Sequence, residues 1–226
     1  DHAFHGRTLL GMSLTAKVMP YKQGFGPFAP EVYRLPFAYP YRCPTGGSYD
    51  DCAASCLAYA FDEMHKHVGE GIVAAVVVEP IQGEGGFHPA PDSFLRGLRA
   101  ICDEHGILLV VDEVQTGLGR TGTMWAFESA GVVPDVVAVG KAIANGLPLA
   151  AIVAPRALHE RWGRGAHGTT FGGNPVACAA GIEVLATIAE EDLVANARAR
   201  GGQLVGGLRE LASSDPRIGD IRGRGL

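Results

Sequence analysis

The sequence predicts an α/β protein in which a mostly parallel sheet is covered by helices on both faces. Three observations point there. Continuous apolar runs of strand length recur along the chain, and segments with helical spacing lie between several of them. Glycine, at 32 of 226 residues, clusters where the apolar runs end, as expected where functional loops sit at strand ends.

The elements follow in order. Residues Tyr21 to Gly47 are rich in Pro, Gly and aromatics without a helical period, and read as an ordered irregular loop. From Asp50 the spacing turns helical: Leu57, Ala60, Phe61, Met64 and Val68 share a face, and Asp50 or Asp51 can cap the N-terminus. Ile72 to Val78 has the unbroken apolar character of a buried parallel strand. Pro91-Asp92-Ser93 opens a second helix bearing Phe94, Leu95, Leu98, Ile101 and Cys102, which Gly106 ends. Ile107–Val111, Val136–Val139 and Leu149–Val153 are three further buried strands. Strands alternating with helical segments imply right-handed βαβ crossovers, with ligands beyond the carboxyl ends of the strands.

After Asn174 the chain is helical and Ala-rich, and Leu204, Leu208 and Leu211 keep the spacing until Asp215-Pro216 breaks it. Ile218 to Arg222 can begin a strand of another domain. The expected division is a large domain over 1–190, lacking its N-terminal part, and a linking helix with the start of a small C-terminal domain over 191–226. The chain opens at Asp1 on a dense motif and stops at Leu226 without a tail, so it reads as the middle of a longer protein.

Composition excludes several classes. Hydrophobic residues at 47% and charged residues at 19% describe a packed globular chain. A net charge of −5 without a basic stripe argues against nucleic acid, and no apolar run is long enough to span a bilayer. Five scattered cysteines suit reduced thiols in a cytoplasmic protein. His65 and His67 point to different helix faces, and Cys52 and Cys56 at i and i+4 read as one packed face, so no metal site is assigned.

Chemistry concentrates at strand ends. Ile107–Val111 runs into Asp112-Glu113-Val114-Gln115-Thr116, and Val136–Val139 into Gly140-Lys141. Taken alone, the first is a helix cap with a surface acid and the second a snorkelling cation. Together, an aspartate and a lysine at the ends of successive buried strands can face one ligand from two sides. Pyridoxal 5′-phosphate (PLP) needs such a pair: an amine whose partial burial favours its neutral form, and an anion at the ring nitrogen. Gly117-Leu118-Gly119-Arg120-Thr121-Gly122 matches a dinucleotide-binding pattern literally. However, Asp112 and Glu113 stand between the strand and its first glycine and would repel a pyrophosphate. A phosphate-binding loop at Lys141 fails too, for Asp135 replaces the leading glycine and no Ser or Thr follows.

Across essentially its whole length the chain resembles class III (ω-amino acid) PLP-dependent aminotransferases of fold type I. The matching segments are Phe4-His-Gly-Arg-Thr8, Glu79-Pro-Ile-Gln-Gly-Glu-Gly-Gly86, Asp112-Glu-Val-Gln-Thr-Gly117, Gly119-Arg-Thr-Gly122, Gly140-Lys141 and Thr169-Thr-Phe-Gly-Gly-Asn-Pro175. The resemblance implies that 1–190 is the PLP-binding domain and that Lys141 carries the cofactor as a Schiff base and shuttles the proton. It implies that Asp112 pairs with the ring nitrogen, Val114 and Phe4 lie on opposite ring faces, and Gln115 bonds the phenolic oxygen. Thr170 would bind the phosphate across the interface of a homodimer, or of a tetramer built from dimers. Arg7 would hold the substrate carboxylate distal to the reacting amine. Glu84 would pair with an arginine beyond Leu226 in a switch between two substrates. His5 receives no role. Met12-Ser-Leu-Thr-Ala-Lys17, Tyr21-Lys-Gln-Gly-Phe-Gly-Pro-Phe28 and Gly219-Asp-Ile-Arg-Gly-Arg-Gly225 resemble the 4-aminobutyrate branch, with 2-oxoglutarate as acceptor. Acetylornithine, ornithine, lysine or β-alanine aminotransferases, dialkylglycine decarboxylase, and a non-catalytic PLP-fold module stay open.

Overall fold

The computed structural model describes all residues from Asp1 to Leu226. Its centre is a four-stranded sheet in the order β1 (Ala75–Val78), β4 (Leu108–Asp112), β5 (Val136–Val139), β6 (Ala151–Val153). The β1–β4 and β4–β5 pairs are parallel, with Val78 beside Val111 and Asp112 beside Ala138. A separate two-stranded ribbon, β2 (Ile81–Gln82) with β3 (His88–Pro89), follows β1. The helices are α1 (Leu9–Leu14), α2 (Cys52–His67), α3 (Asp92–His105), α4 (Arg156–His159), α5 (Pro175–Glu190) and α6 (Leu193–Ser214). No helix is long and apolar enough to cross a membrane.

Alternation along β4 sorts the two faces of the sheet. Leu109 and Val111 are fully buried and share a core cluster with Phe94, Leu95, Leu98 and Cys102 of α3 and Cys52, Cys56 and Met64 of α2. Burying each of Leu95, Leu98 and Leu109 stabilises the fold by about 1.5–3 kcal/mol. Gly97 lets α2 approach α3 closely, because a side chain there would run into Leu57. Val110 and Asp112 point the other way and are only half-buried. The α/β class with a mostly parallel sheet therefore stands, and the opposite face of β4 is where the polar chemistry collects.

Several elements differ from expectation for identifiable reasons. The strand expected from Ile72 starts at Ala75, since Glu70–Ile72 forms a 3-10 turn and Ile72 is exposed. β6 runs antiparallel to β5 and, against the buried strand expected at Leu149–Val153, is exposed along its length because it is the edge strand of the sheet. A parallel return needs a crossover of about a dozen residues or more, and residues 140–150, coiled into the 3-10 turn Lys141–Ala144, are too few. Between β4 and β5 the connection contains the 3-10 helix Ala126–Ala130 and no α-helix. Asp51 sits at the N-cap of α2 without a capping bond and instead accepts from the Ser48 hydroxyl at 2.6 Å. The buried face of α2 is Cys52, Ala53, Cys56, Ala60 and Met64, and Phe61 is exposed.

At the other end, α5 is capped by Asn174, whose side chain accepts from the Ala177 N–H at 2.9 Å. Ile218–Arg222 does not form a strand. It runs extended against the rest of the chain: Arg222 donates to the carbonyls of Gly86 and Phe87 at 2.8 and 2.9 Å, and the Leu226 N–H donates to Arg120 at 3.0 Å.

Candidate active site

Three strands deliver ionisable residues to one edge of the sheet: Glu79 just after β1, Asp112 at the end of β4, and Lys141 just after Gly140 beyond β5. Asp112 is held on both oxygens. One accepts the Val114 N–H at 3.0 Å and the other meets His5 Nδ1 at 2.8 Å. The His5 side chain is 6% exposed and that of Asp112 15%. His5 is itself fixed, because its backbone N–H donates to the buried Thr15 hydroxyl at 3.0 Å.

Glu79 ties the neighbouring segments together. Its two oxygens accept the N–H groups of Phe4 at 2.9 Å and of Gly83 at 3.0 Å. Burial pushes its carboxyl above the ordinary range against the pull of those two N–H groups and of His5, and the Asp112 charge adds to the rise. Glu113, the fully buried neighbour of Asp112, faces the core and accepts from the Thr116 hydroxyl and, at 3.0 Å, the Phe127 N–H. The expectation of a surface acid after this strand is thus corrected: Glu113 braces the loop that carries Val114 and Gln115.

Lys141 adopts the left-handed backbone at φ +44 and opens the turn Lys141–Ala144. Its Nζ donates to Gln115 Oε1 at 3.2 Å. A side chain at position 83 would collide with the Gln115 amide, so Gly83 leaves that amide its place. The expected partial burial of Lys141 is not met. Within residues 1–226 the lysine is exposed, although α5 packs on the turn that it opens and Ala144 of that turn is buried.

Phe4, Arg7 and Glu84 are joined through Tyr21. The Phe4 and Tyr21 rings lie 4.9 Å apart, the Arg7 guanidinium sits 4.9 Å from the centre of the Tyr21 ring, and the Tyr21 hydroxyl donates to Glu84 at 2.5 Å. Thr170 is exposed and makes no hydrogen bond to any of these residues. The structure therefore groups Phe4, Asp112, Val114, Gln115 and Lys141, sets Arg7 and Glu84 beside them, and links Thr170 to none of them by a hydrogen bond. A cavity of about 330 Å³, lined by Tyr39, Tyr49, Asp220 and Arg222 among others, includes none of them. The chemistry of the donors outweighs concavity here.

Three contributors escape sequence reasoning: His5, Glu79 and Tyr21. Glu79 had a usable signal, since it follows an apolar strand as Lys141 and its glycine do. His5 had none, because its partner lies 107 residues away.

The donor set fits PLP. Lys141 offers an amine and Gln115 an amide. A carboxylate accepts about four hydrogen bonds and Asp112 uses one on each oxygen, so capacity remains for a ring N–H. A family model described as aminotransferase class-III matches residues 1–226.

The chain belongs to the class-III aminotransferase family.

Among curated members, this class-III chain is 47% identical over 228 residues to a 4-aminobutyrate aminotransferase of Mycobacterium leprae, covering all of this chain and 51% of that protein. It is 43% identical to a 5-aminovalerate aminotransferase of Pseudomonas putida, covering 98% of this chain and 51% of that one. An amine transaminase from an uncultivated Pseudomonas species, solved in its PLP-bound form, superposes with a TM-score of 0.90 at 33% identity, over all of this chain and 52% of that one. The chain thus spans about half the length of the curated relatives it matches.

Proposed function

We propose that the full-length protein is a PLP-dependent aminotransferase that moves the ω-amino group of 4-aminobutyrate to 2-oxoglutarate, giving succinate semialdehyde and glutamate. The observation that carries this reading is the Lys141 amine bonded to the Gln115 amide beyond β5, with the Asp112 carboxylate at the end of the adjacent strand β4. PLP, when bound, supplies an electron sink for the carbon that bears the amine.

The chain's residues do the rest. Lys141 holds the cofactor, and its Nζ takes and returns the proton of that carbon. Asp112, fixed by His5 and the Val114 N–H, keeps a proton on the ring nitrogen. Gln115 bonds the phenolic oxygen, and Phe4 and Val114 flank the ring. Arg7 grips the carboxylate distal to the reacting amine through its two-pronged donor edge. Glu84 pairs with an arginine outside residues 1–226 when the ω-amino acid is bound and releases it when 2-oxoglutarate binds. Thr170 serves the phosphate of the neighbouring subunit in a homodimer, which accords with its exposure. Residues 1–190 form the cofactor domain and 191–226 lead into a small C-terminal domain. Five free cysteines support a cytoplasmic setting.

Two experiments on the full-length protein test this. An amine-donor panel with 2-oxoglutarate should favour 4-aminobutyrate over 5-aminovalerate, ornithine, acetylornithine, lysine and β-alanine. A different best donor would move the substrate within the family, and no turnover with PLP bound would make the protein a non-catalytic module. Borohydride reduction should label the peptide containing Lys141; a label elsewhere removes its role. Residues 1–226 alone are expected to be inactive, since Lys141 is exposed and Thr170 makes no hydrogen bond to the other donors, and measurable turnover by that piece would contradict this.

A further inference from the structure

A second cluster of chemically capable side chains lies on the other face of the sheet, under α2. Cys52 and Cys56 occupy the first turns of α2, fully buried, with their sulfurs 4.0 Å apart. The preceding loop brings in half-buried Cys43, and the three sulfurs all lie within 4.8 Å of one another. The Thr45 hydroxyl sits between them, 3.3 Å from the Cys43 sulfur and 3.6 Å from that of Cys56. None of these residues belongs to the Lys141 site.

We propose that Cys43, Cys52 and Cys56 form a three-thiolate site for a soft, redox-inert cation of the zinc class. With metal–sulfur bonds of about 2.3 Å, the sulfurs of such a site stand about 3.8 Å apart in a tetrahedron or about 4.0 Å in a trigonal plane. The Cys52–Cys56 separation already meets the trigonal value. Closing the remaining span, less than 1 Å from the 4.8 Å limit, falls to Cys43, which is carried on a loop rather than a helix. Cys43 is also the one of the three that solvent reaches, which gives an ion its way in.

Burial raises the Cys52 and Cys56 thiols, so an anionic ligand set forms only as a metal displaces their protons. The N–H dipoles of the first turn of α2 are directed at this end of the helix and offset part of the thiolate charge. On binding, each coordinating thiol gives its proton to solvent as its metal–sulfur bond forms. The Thr45 hydroxyl or a water can complete the coordination. An i, i+4 cysteine pair on a helix reads as packing, and these two do sit in the core. The third thiol turns the pair into a ligand set.

The test uses the reduced full-length protein, stripped with chelator and titrated with cadmium as the probe. Thiolate-to-metal ultraviolet absorption should rise and saturate at one equivalent per chain, and zinc dialysis should leave one equivalent by elemental analysis. Cys43→Ser should weaken binding by more than about tenfold, since even outer-shell changes cost about 10–100-fold. Cys178→Ser, outside the cluster, should change nothing. In the unsubstituted protein, bound zinc should also shield Cys43 from alkylation. Sub-stoichiometric metal, equal binding by the Cys43→Ser protein, or unshielded Cys43 would each reduce the cluster to core packing.

Discussion

His5 offers a sharp test of the site because its side chain meets the Asp112 carboxylate directly while standing outside the set of groups that face the cofactor. Replacing it with phenylalanine keeps an aromatic ring in a position only 6% exposed, and removes the Nδ1 contact made at 2.8 Å. A hydrogen bond to a charged group contributes about 1.5–3 kcal/mol. The Asp112 side chain remains 15% exposed, so water recovers part of this and the loss falls near the lower end, about 1.5–2 kcal/mol. At about 1.4 kcal/mol per tenfold, kcat/KM should drop about 10–30-fold. The assay is succinate semialdehyde production by the full-length enzyme at saturating cofactor, with bound PLP measured separately. His5→Asn supplies a side-chain N–H near the Nδ1 position and should recover most of the loss. A purely structural role predicts equal damage from both variants, and equal kinetics in His5→Phe, His5→Asn and the unsubstituted enzyme would refute the reasoning outright.

Arg7→Lys replaces a fork with a point charge. The KM for 4-aminobutyrate should rise about tenfold with little change in kcat, the pattern of lost uniform binding, and an unchanged KM would dismiss the carboxylate role. Glu113 is 1% exposed and burial lifts its carboxyl above 4.5 in spite of the N–H and hydroxyl groups donated to it. The folded protein therefore holds that proton to higher pH than the unfolded chain. Stability falls as pH rises from about 4.5 through the raised value, and Glu113→Gln should flatten this slope in urea melts; parallel pH profiles would show the opposite. Leu95→Ala opens a cavity beneath β4 at a residue 2% exposed and should cost about 3–5 kcal/mol, read from the urea midpoint, with a loss under 1 kcal/mol counting against the packing described.

Legibility in the sequence followed the range of the forces involved. The runs that became β4 and β5, and the helix from Asp92 to Gly106, were readable because burial imposes its pattern residue by residue. The direction of β6 was not written in its own residues, since Leu149–Val153 looks the same either way. It was set by how short the connection from β5 is. The ribbon of Ile81–Gln82 with His88–Pro89 was too short to carry any period. In the site, Asp112 and Lys141 were visible because each charge follows an apolar run. Tyr21 was not, because its meaning lies in contacts with Phe4, Arg7 and Glu84 that only the folded chain makes. The exposure of Lys141 was misjudged because a strand end predicts a crevice, and what closes over it is a separate matter.

The backbone of Lys141 carries a further consequence. The left-handed region costs an L-residue with a side chain about 1–2 kcal/mol that glycine escapes. Selection for stability alone would place glycine after β5, where Gly140 already shows that small residues are accepted. On the proposed role of Lys141, the fold tolerates a standing local penalty at φ +44 for the sake of the amine. On this account the end of β5 is a place where gains in stability and losses of function come from the same substitution.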